Sequence, residues 1–155
     1  MRKAIRTAAA IPILAVLLAG CYEQDVEETD PLAVGVDADV GPVQVRSLLV
    51  VSAAVDEPGR LLGTFSNTLD NPAEVTIADA DEEVSFTVDG GTDLGLDTSP
   101  VHLGSIAERP GSRVPITVTV GSQSVDLLAP VMDGSLDPYA PYLPTIAPSS
   151  PAPTR

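Results

Sequence analysis

Val114, Ile116, Val118 and Val120 alternate with Pro115, Thr117 and Thr119. A strict period of two predicts a half-buried strand, because successive side chains point to opposite faces. The same alternation runs through Val84-Ser85-Phe86-Thr87-Val88 and through Glu74-Val75-Thr76-Ile77. Val43 to Val51 begins in the same way but ends Leu48-Leu49-Val50-Val51, apolar on both sides. That pattern predicts a strand starting at the rim and running into the middle of the core. Leu61 to Asn67 makes another strand, entered through Glu57-Pro58-Gly59 and left through Asp70-Asn71-Pro72. Val101-His102-Leu103 is a short one, and Ser124 to Leu128 closes the set after the Gly121-Ser122 turn. Pro115 has no amide donor, so its strand should begin there or lie at a sheet edge. About seven strands between residues 34 and 133, with turn signals every ~8–12 residues, predict an all-β, antiparallel sandwich of the immunoglobulin-like kind. No stretch sustains a 3.6-residue apolar period, so helices should be absent or single-turn.

The two ends differ from this middle. Met1-Arg2-Lys3-Ala4-Ile5-Arg6 precedes the apolar run Ala8 to Ala19, which stops at Gly20-Cys21. A basic start, a short apolar stretch and small residues before a cleavage point make a secretory signal. The run is far shorter than the roughly 20 residues a spanning helix needs, and Pro12 inside it breaks helix continuity. Leu18-Ala19-Gly20-Cys21 resembles the lipobox of bacterial lipoproteins. That resemblance implies cleavage between Gly20 and Cys21, diacylglycerol on the Cys21 sulfur and an acylated amino terminus. Cys21 is the sole cysteine of the chain, so it has no disulfide partner, and lipidation removes a thiol that would otherwise stay reactive in an oxidising envelope. The expected location is the extracytoplasmic face of the cell membrane, with the lipid as the membrane contact.

Residues 1–20 are thus expected to be a signal peptide and residues 21–33 a lipidated, acidic tether. Five acids between Glu23 and Pro31 repel one another and extend the chain. The sandwich follows over 34–133. Residues 134–155 form a proline-rich tail, expected to be disordered beyond about 145, although Tyr139 and Tyr142 have the means to fold back on the sandwich.

Charge narrows the function. After cleavage the chain keeps five arginines, no lysine and all 22 acidic residues, a formal charge of −17. Such a surface repels phosphate backbones and excludes general nucleic-acid binding. It repels anionic headgroups as well, which leaves the acyl chains to hold the protein at the membrane.

Gly63-Thr64-Phe65-Ser66-Asn67, with Asp70-Asn71-Pro72 behind it, resembles a core segment of small actinobacterial envelope lipoproteins of the LpqE type. Those are similar in turn to the PCu(A)C copper-chaperone superfamily. Gly111-Ser112-Arg113-Val114-Pro115-Ile116-Thr117-Val118-Thr119-Val120 is similar to a strand of that family, and the Val125–Val131 run and the Tyr/Pro-rich tail fit it too. The resemblance covers roughly residues 34–143. It implies a cupredoxin-like sandwich and a chaperone that holds Cu(I) with methionines and histidines, soft donors for a soft ion. After signal cleavage this chain has one histidine, His102, and one methionine, Met132, and no His-x-Met pair. The expectation is therefore no metal site and no cofactor, with His102 and Met132 the low-ranked candidates.

Other chemistries have weaker signals. Asp79-Ala80-Asp81-Glu82-Glu83 starts like a calcium loop, but Val84 stands where the sharp turn needs glycine and Gly90 where a glutamate should close the loop. Asp89, Asp93 and Asp97 are spaced for a helix, while Gly90, Gly91 and Gly95 favour a solvated loop. No Gly-x-Ser-x-Gly elbow accompanies His102, and a chain without tryptophan lacks the usual sugar-stacking platform. The sequence favours a non-catalytic envelope lipoprotein working with an unidentified envelope protein. The alternative is a copper or other metal chaperone of PCu(A)C-like type with degenerate ligands. Oligomeric state is left open.

Overall fold

The computed structural model describes residues 35–145. The expected signal segment, the expected cleavage and lipidation point at Gly20-Cys21, the expected acidic tether and the tail beyond 145 lie outside the described residues.

Nine strands make up the domain: β1 Val36–Val40, β2 Val43–Ser52, β3 Glu57–Asn67, β4 Ala73–Ala78, β5 Glu83–Val88, β6 Asp93–Gly95, β7 Val101–Ile106, β8 Arg113–Val120 and β9 Gln123–Met132. A single 3-10 turn, Ala140–Tyr142, follows. The all-β sandwich expected from alternation is the fold observed. One sheet is built on the β2–β3 hairpin, with β1 on the free side of β2, and β6 and β7 on the free side of β3. The other runs β5-β4-β8-β9. At its end β9 crosses over, pairing Val131 and Met132 in parallel with Val50 and Val51, so the two sheets are joined through one strand. That parallel step is a departure from a purely antiparallel fold.

The inner faces meet in one aliphatic core. Val43, Val45, Leu48, Val50, Leu61 and Phe65 come from the first sheet, and Val75, Ile77, Ile116 and Val118 from the second. Phe86 reaches in from the edge strand β5 and packs its ring at 85° to that of Phe65, with centroids 5.1 Å apart.

A bulge explains why β2 is apolar on both sides. Arg46 pairs with Thr64 and Leu49 with Leu62, so Ser47 and Leu48 together stand opposite Gly63. Ser47 takes φ 55° and Gly63 φ 146°, and a Cβ on Gly63 would press on Arg46 and Leu48 backbone atoms at 3.1 Å. The Asp37 carboxylate accepts the Ser47 N–H at 2.7 Å and pins the bulge. The extra residue shifts the phase of the strand. Leu48 and Val50 then face the main core, while Leu49 and Val51 face outward.

Two strands go beyond the sequence expectation. β1 carries Asp37 and Asp39 on its outer side, and β6 is only three residues long. Pro115 lies inside β8, where β9 flanks it through Leu128; the β4 ladder starts only at Thr117. The missing amide therefore falls where one side of the strand has no partner.

Candidate functional site

The two candidate soft donors fall in one register row. His102 pairs with Arg60, Arg60 with Val51, and Val51 with Met132, so the row crosses β7, β3, β2 and β9. Partners in a row share a face, and this is the outer face of the first sheet. Met132 is the last residue of β9, which runs four residues past the Leu128 end expected for the closing strand. His102 is exposed, whereas Met132 is half-buried against Val51 and its neighbours. Three inter-strand steps of ~4.8 Å put their backbones about 14 Å apart. Side chains stand roughly perpendicular to a sheet, so donors rooted this far apart on one face point alongside each other rather than converge on one ion.

Between them sits Arg60, with its guanidinium carbon 4.9 Å from the centre of the Tyr142 ring. Its Nη2 donates to the Asp97 carbonyl at 2.7 Å and to that of Leu96 at 3.5 Å. Its Nε is buried with no hydrogen-bond partner among the described residues. Tyr142 belongs to the segment after β9, which turns back over this face. Asp133 opens the turn: its carboxylate accepts the Ser135 N–H at 2.9 Å and the Ser135 hydroxyl. The hydroxyl, and next the amide, hold the Asp133 carboxyl below the ordinary carboxylate range.

The acidic candidates bind their own chain. The Asp79 carboxylate accepts the N–H groups of Asp81 and Glu82, both at 2.9 Å, as a turn cap does. Glu82 accepts the Gly104 N–H, occupying a donor on the free edge of β7. Asp93 is part of β6 rather than of a loop, a correction that follows from its pairing with Ser66. Among the described residues no three His, Cys, Asp or Glu side chains converge as a metal would require.

An open groove of about 600 Å³ lies at the end of the sandwich, lined by Pro42, Leu69, Asn71, Glu74 and Thr119 among others. It holds one carboxylate and hydroxyls, and His102 is on the opposite sheet. A smaller recess of about 140 Å³ lies between Asp79, Asp81, Glu108 and Pro115. Hydroxyls on the outer face of the second sheet pair with one another: Thr76 with Ser85 at 2.8 Å and Thr119 with Ser124 at 2.9 Å. Thr117 donates to Asp126 at 2.7 Å. These are cross-strand pairs that support the sheet.

Asn67, one of the residues carrying the family resemblance, has a structural role. Buried at 3% exposure, it donates to the carbonyls of Asn71 and Val88 and accepts the Leu69 N–H, holding the β3–β4 turn against the end of β5.

The chain is similar to a solved domain structure. The structure described as the apo PCuAC domain from PmoF1 aligns over 63% of this chain and 99% of that one, at 16% identity and a TM-score of 0.48. No family description matches the sequence, and no curated protein matches it. Copper binding is a question for this chain's own donors, His102 and Met132, which the register places on β7 and β9 with two strands between them. Residues 22–155 should hold no Cu(I) at micromolar affinity against a competing chelator. Two chains together would pool two histidines and two methionines, so the titration is run at low and high protein concentration, with His102→Ala alongside. Stoichiometric binding lost in His102→Ala would restore a copper site.

Proposed function

We propose that this chain is a lipid-anchored envelope protein whose acidic sandwich acts by contact with another protein, without catalysis. One observation carries the reading: how the few cations are disposed. Residues 35–145 hold 17 carboxylates and four arginines. Arg46 pairs with Asp39 at 2.9 Å and donates to the carbonyls of Ala38 and Val45. Arg60 lies under Tyr142, and Arg113 donates to the Leu128 carbonyl. Three of the four are committed to contacts within the chain, and 17 carboxylates against four arginines make the surface field negative. Such a field steers a basic partner and repels an acidic one. The lipobox at Cys21 and the resemblance to small envelope lipoproteins support the location.

The test is capture. Immobilised residues 22–155 are exposed to envelope extract at low ionic strength and eluted with salt. A basic protein that is retained, released as screening rises, and not held by an unrelated acidic protein of matched charge is the expected result. Retention identical to that control would remove the reading.

A further inference from the structure

The outward half of β2 has its own occupant. Leu49, Val51 and Leu62 form a small apolar cluster separate from the main core, covered by Tyr139, Tyr142 and Leu143 and flanked by Met132. Tyr139 is only 8% exposed there. The covering strap has a distinctive chemistry, Leu136-Asp137-Pro138-Tyr139-Ala140-Pro141-Tyr142-Leu143-Pro144, with three prolines that donate no backbone hydrogen bond.

The strap's backbone bonds close on the strap itself. Tyr139 and Ala140 donate to Leu136, Tyr142 to Tyr139 and Leu143 to Ala140. Its hold on the sheet is through side chains: two tyrosines and a leucine on an aliphatic floor, and Tyr142 stacked on Arg60. A segment attached in this way opens without disturbing the strands beneath it. The strap also leaves the Arg60 Nε buried and unanswered, so its fit to the groove is incomplete.

We propose that this groove is a docking site for a tyrosine- and proline-bearing segment of a partner protein that takes up the same short turns, and that the strap is the occupant that covers it in the free chain. The proposal rests on the protein-contact reading above and adds the surface and the kind of segment it takes. A rigid, proline-rich segment loses little conformational freedom on docking, and its aromatic side chains supply the buried area. An acceptor placed at Arg60 Nε would add a bond that the strap does not make. A second copy of the chain is a poor occupant. The turn at Asp133–Ser135 folds the strap onto its own sheet, and two copies of formal charge −17 repel each other.

The probe is a labelled peptide of residues 136–145, with a control peptide in which both tyrosines are alanine. It is titrated by anisotropy into residues 22–155 and into the same chain carrying Tyr139→Ala and Tyr142→Ala. The substituted chain should bind the peptide at least tenfold more tightly than the unaltered chain, the control peptide should not bind, and adding Arg60→Ala should weaken binding at least fivefold. Equal binding to both chains, or no binding by a substituted chain whose circular dichroism is unchanged, overturns the proposal. Concentration-dependent dimerisation of the unaltered chain also overturns it, by giving the groove to a second copy. Should the substituted chain fail to fold, hydrogen exchange on the unaltered chain decides: the Tyr142 and Leu143 amides should exchange at least 100-fold faster than that of Val118, and equal protection overturns the proposal. Loss of this groove would leave salt-sensitive capture by the acidic surface untouched, so the two failures are distinguishable.

Discussion

Phe65→Ala should lower the stability of the domain by about 3–5 kcal/mol, the cost of a cavity where a fully buried phenylalanine has been removed. Phe65 is 0% exposed, on β3 between its partners Val45 and Leu94, and apart from Phe86 the core around it is aliphatic. Phe86 lies on the edge strand and stays half-buried, so Phe86→Ala should cost roughly 1–2 kcal/mol, a share of the full burial of such a side chain. Val118, fully buried on β8, should cost about 1.5–3 kcal/mol on truncation. Thr87→Ala and Thr117→Ala, on the outer face, should change stability by about 0.5 kcal/mol or less. Because Phe65 and Phe86 touch edge to face, their double substitution should cost less than the two singles together. Urea midpoints by far-ultraviolet circular dichroism suit a chain without tryptophan. Equal midpoint shifts for Phe65, Thr87 and Thr117 would mean that the inner and outer faces have been assigned wrongly.

That ranking shows where sequence alone is informative. Alternation identifies the inward side of β5 and β8 directly, because each has one buried face and one wet face. It does not rank Phe86 against Phe65, since depth depends on whether a strand is central or at an edge, and strand order is a property of long-range pairing. β1 is hidden for a related reason. Asp37 and Asp39 continue the acidic composition of the tether, yet one carboxylate pins the Ser47 bulge and the other pairs with Arg46. β6 has three residues and acquires strand character from pairing with Ser66, Phe65 and Thr64. The doubly apolar end of β2 is legible as a pattern, but its cause is not. It arises from the bulge opposite Gly63 and from the returning strap, which together put Leu49 and Val51 on a second, outer apolar surface.

The candidate site follows the same logic. His102 and Met132 are obvious from composition, being single instances of their types after the signal. Whether they meet depends on β3 and β2 lying between their strands, and that is settled by register. Arg60 attracts no attention in the sequence beyond its charge. Its stack on Tyr142, its bonds to the Leu96 and Asp97 carbonyls and its unpartnered Nε come from three segments distant in the chain.

Cys21→Ser should abolish membrane attachment through lipid, an all-or-none effect. Serine has no thiolate to take diacylglycerol, so the modification that the lipobox invites has no acceptor, and the cleavage that follows it should fail as well. The remaining features do not compensate. The apolar run Ala8 to Ala19 is 12 residues, about 18 Å as a helix against a hydrocarbon core of ~30 Å. The chain after Gly20 has a formal charge of −17 and no lysine, so anionic headgroups offer no second attachment. One acyl chain binds only marginally while two or three hold firmly, and under the proposed lipidation losing Cys21 removes the site on which all of them would depend. The expected product is an uncleaved or soluble species without acyl mass, read by mass spectrometry of the amino terminus together with detergent-phase partitioning. A Cys21→Ser protein that still enters the detergent phase and still carries acyl mass would show that the anchor lies elsewhere in the chain.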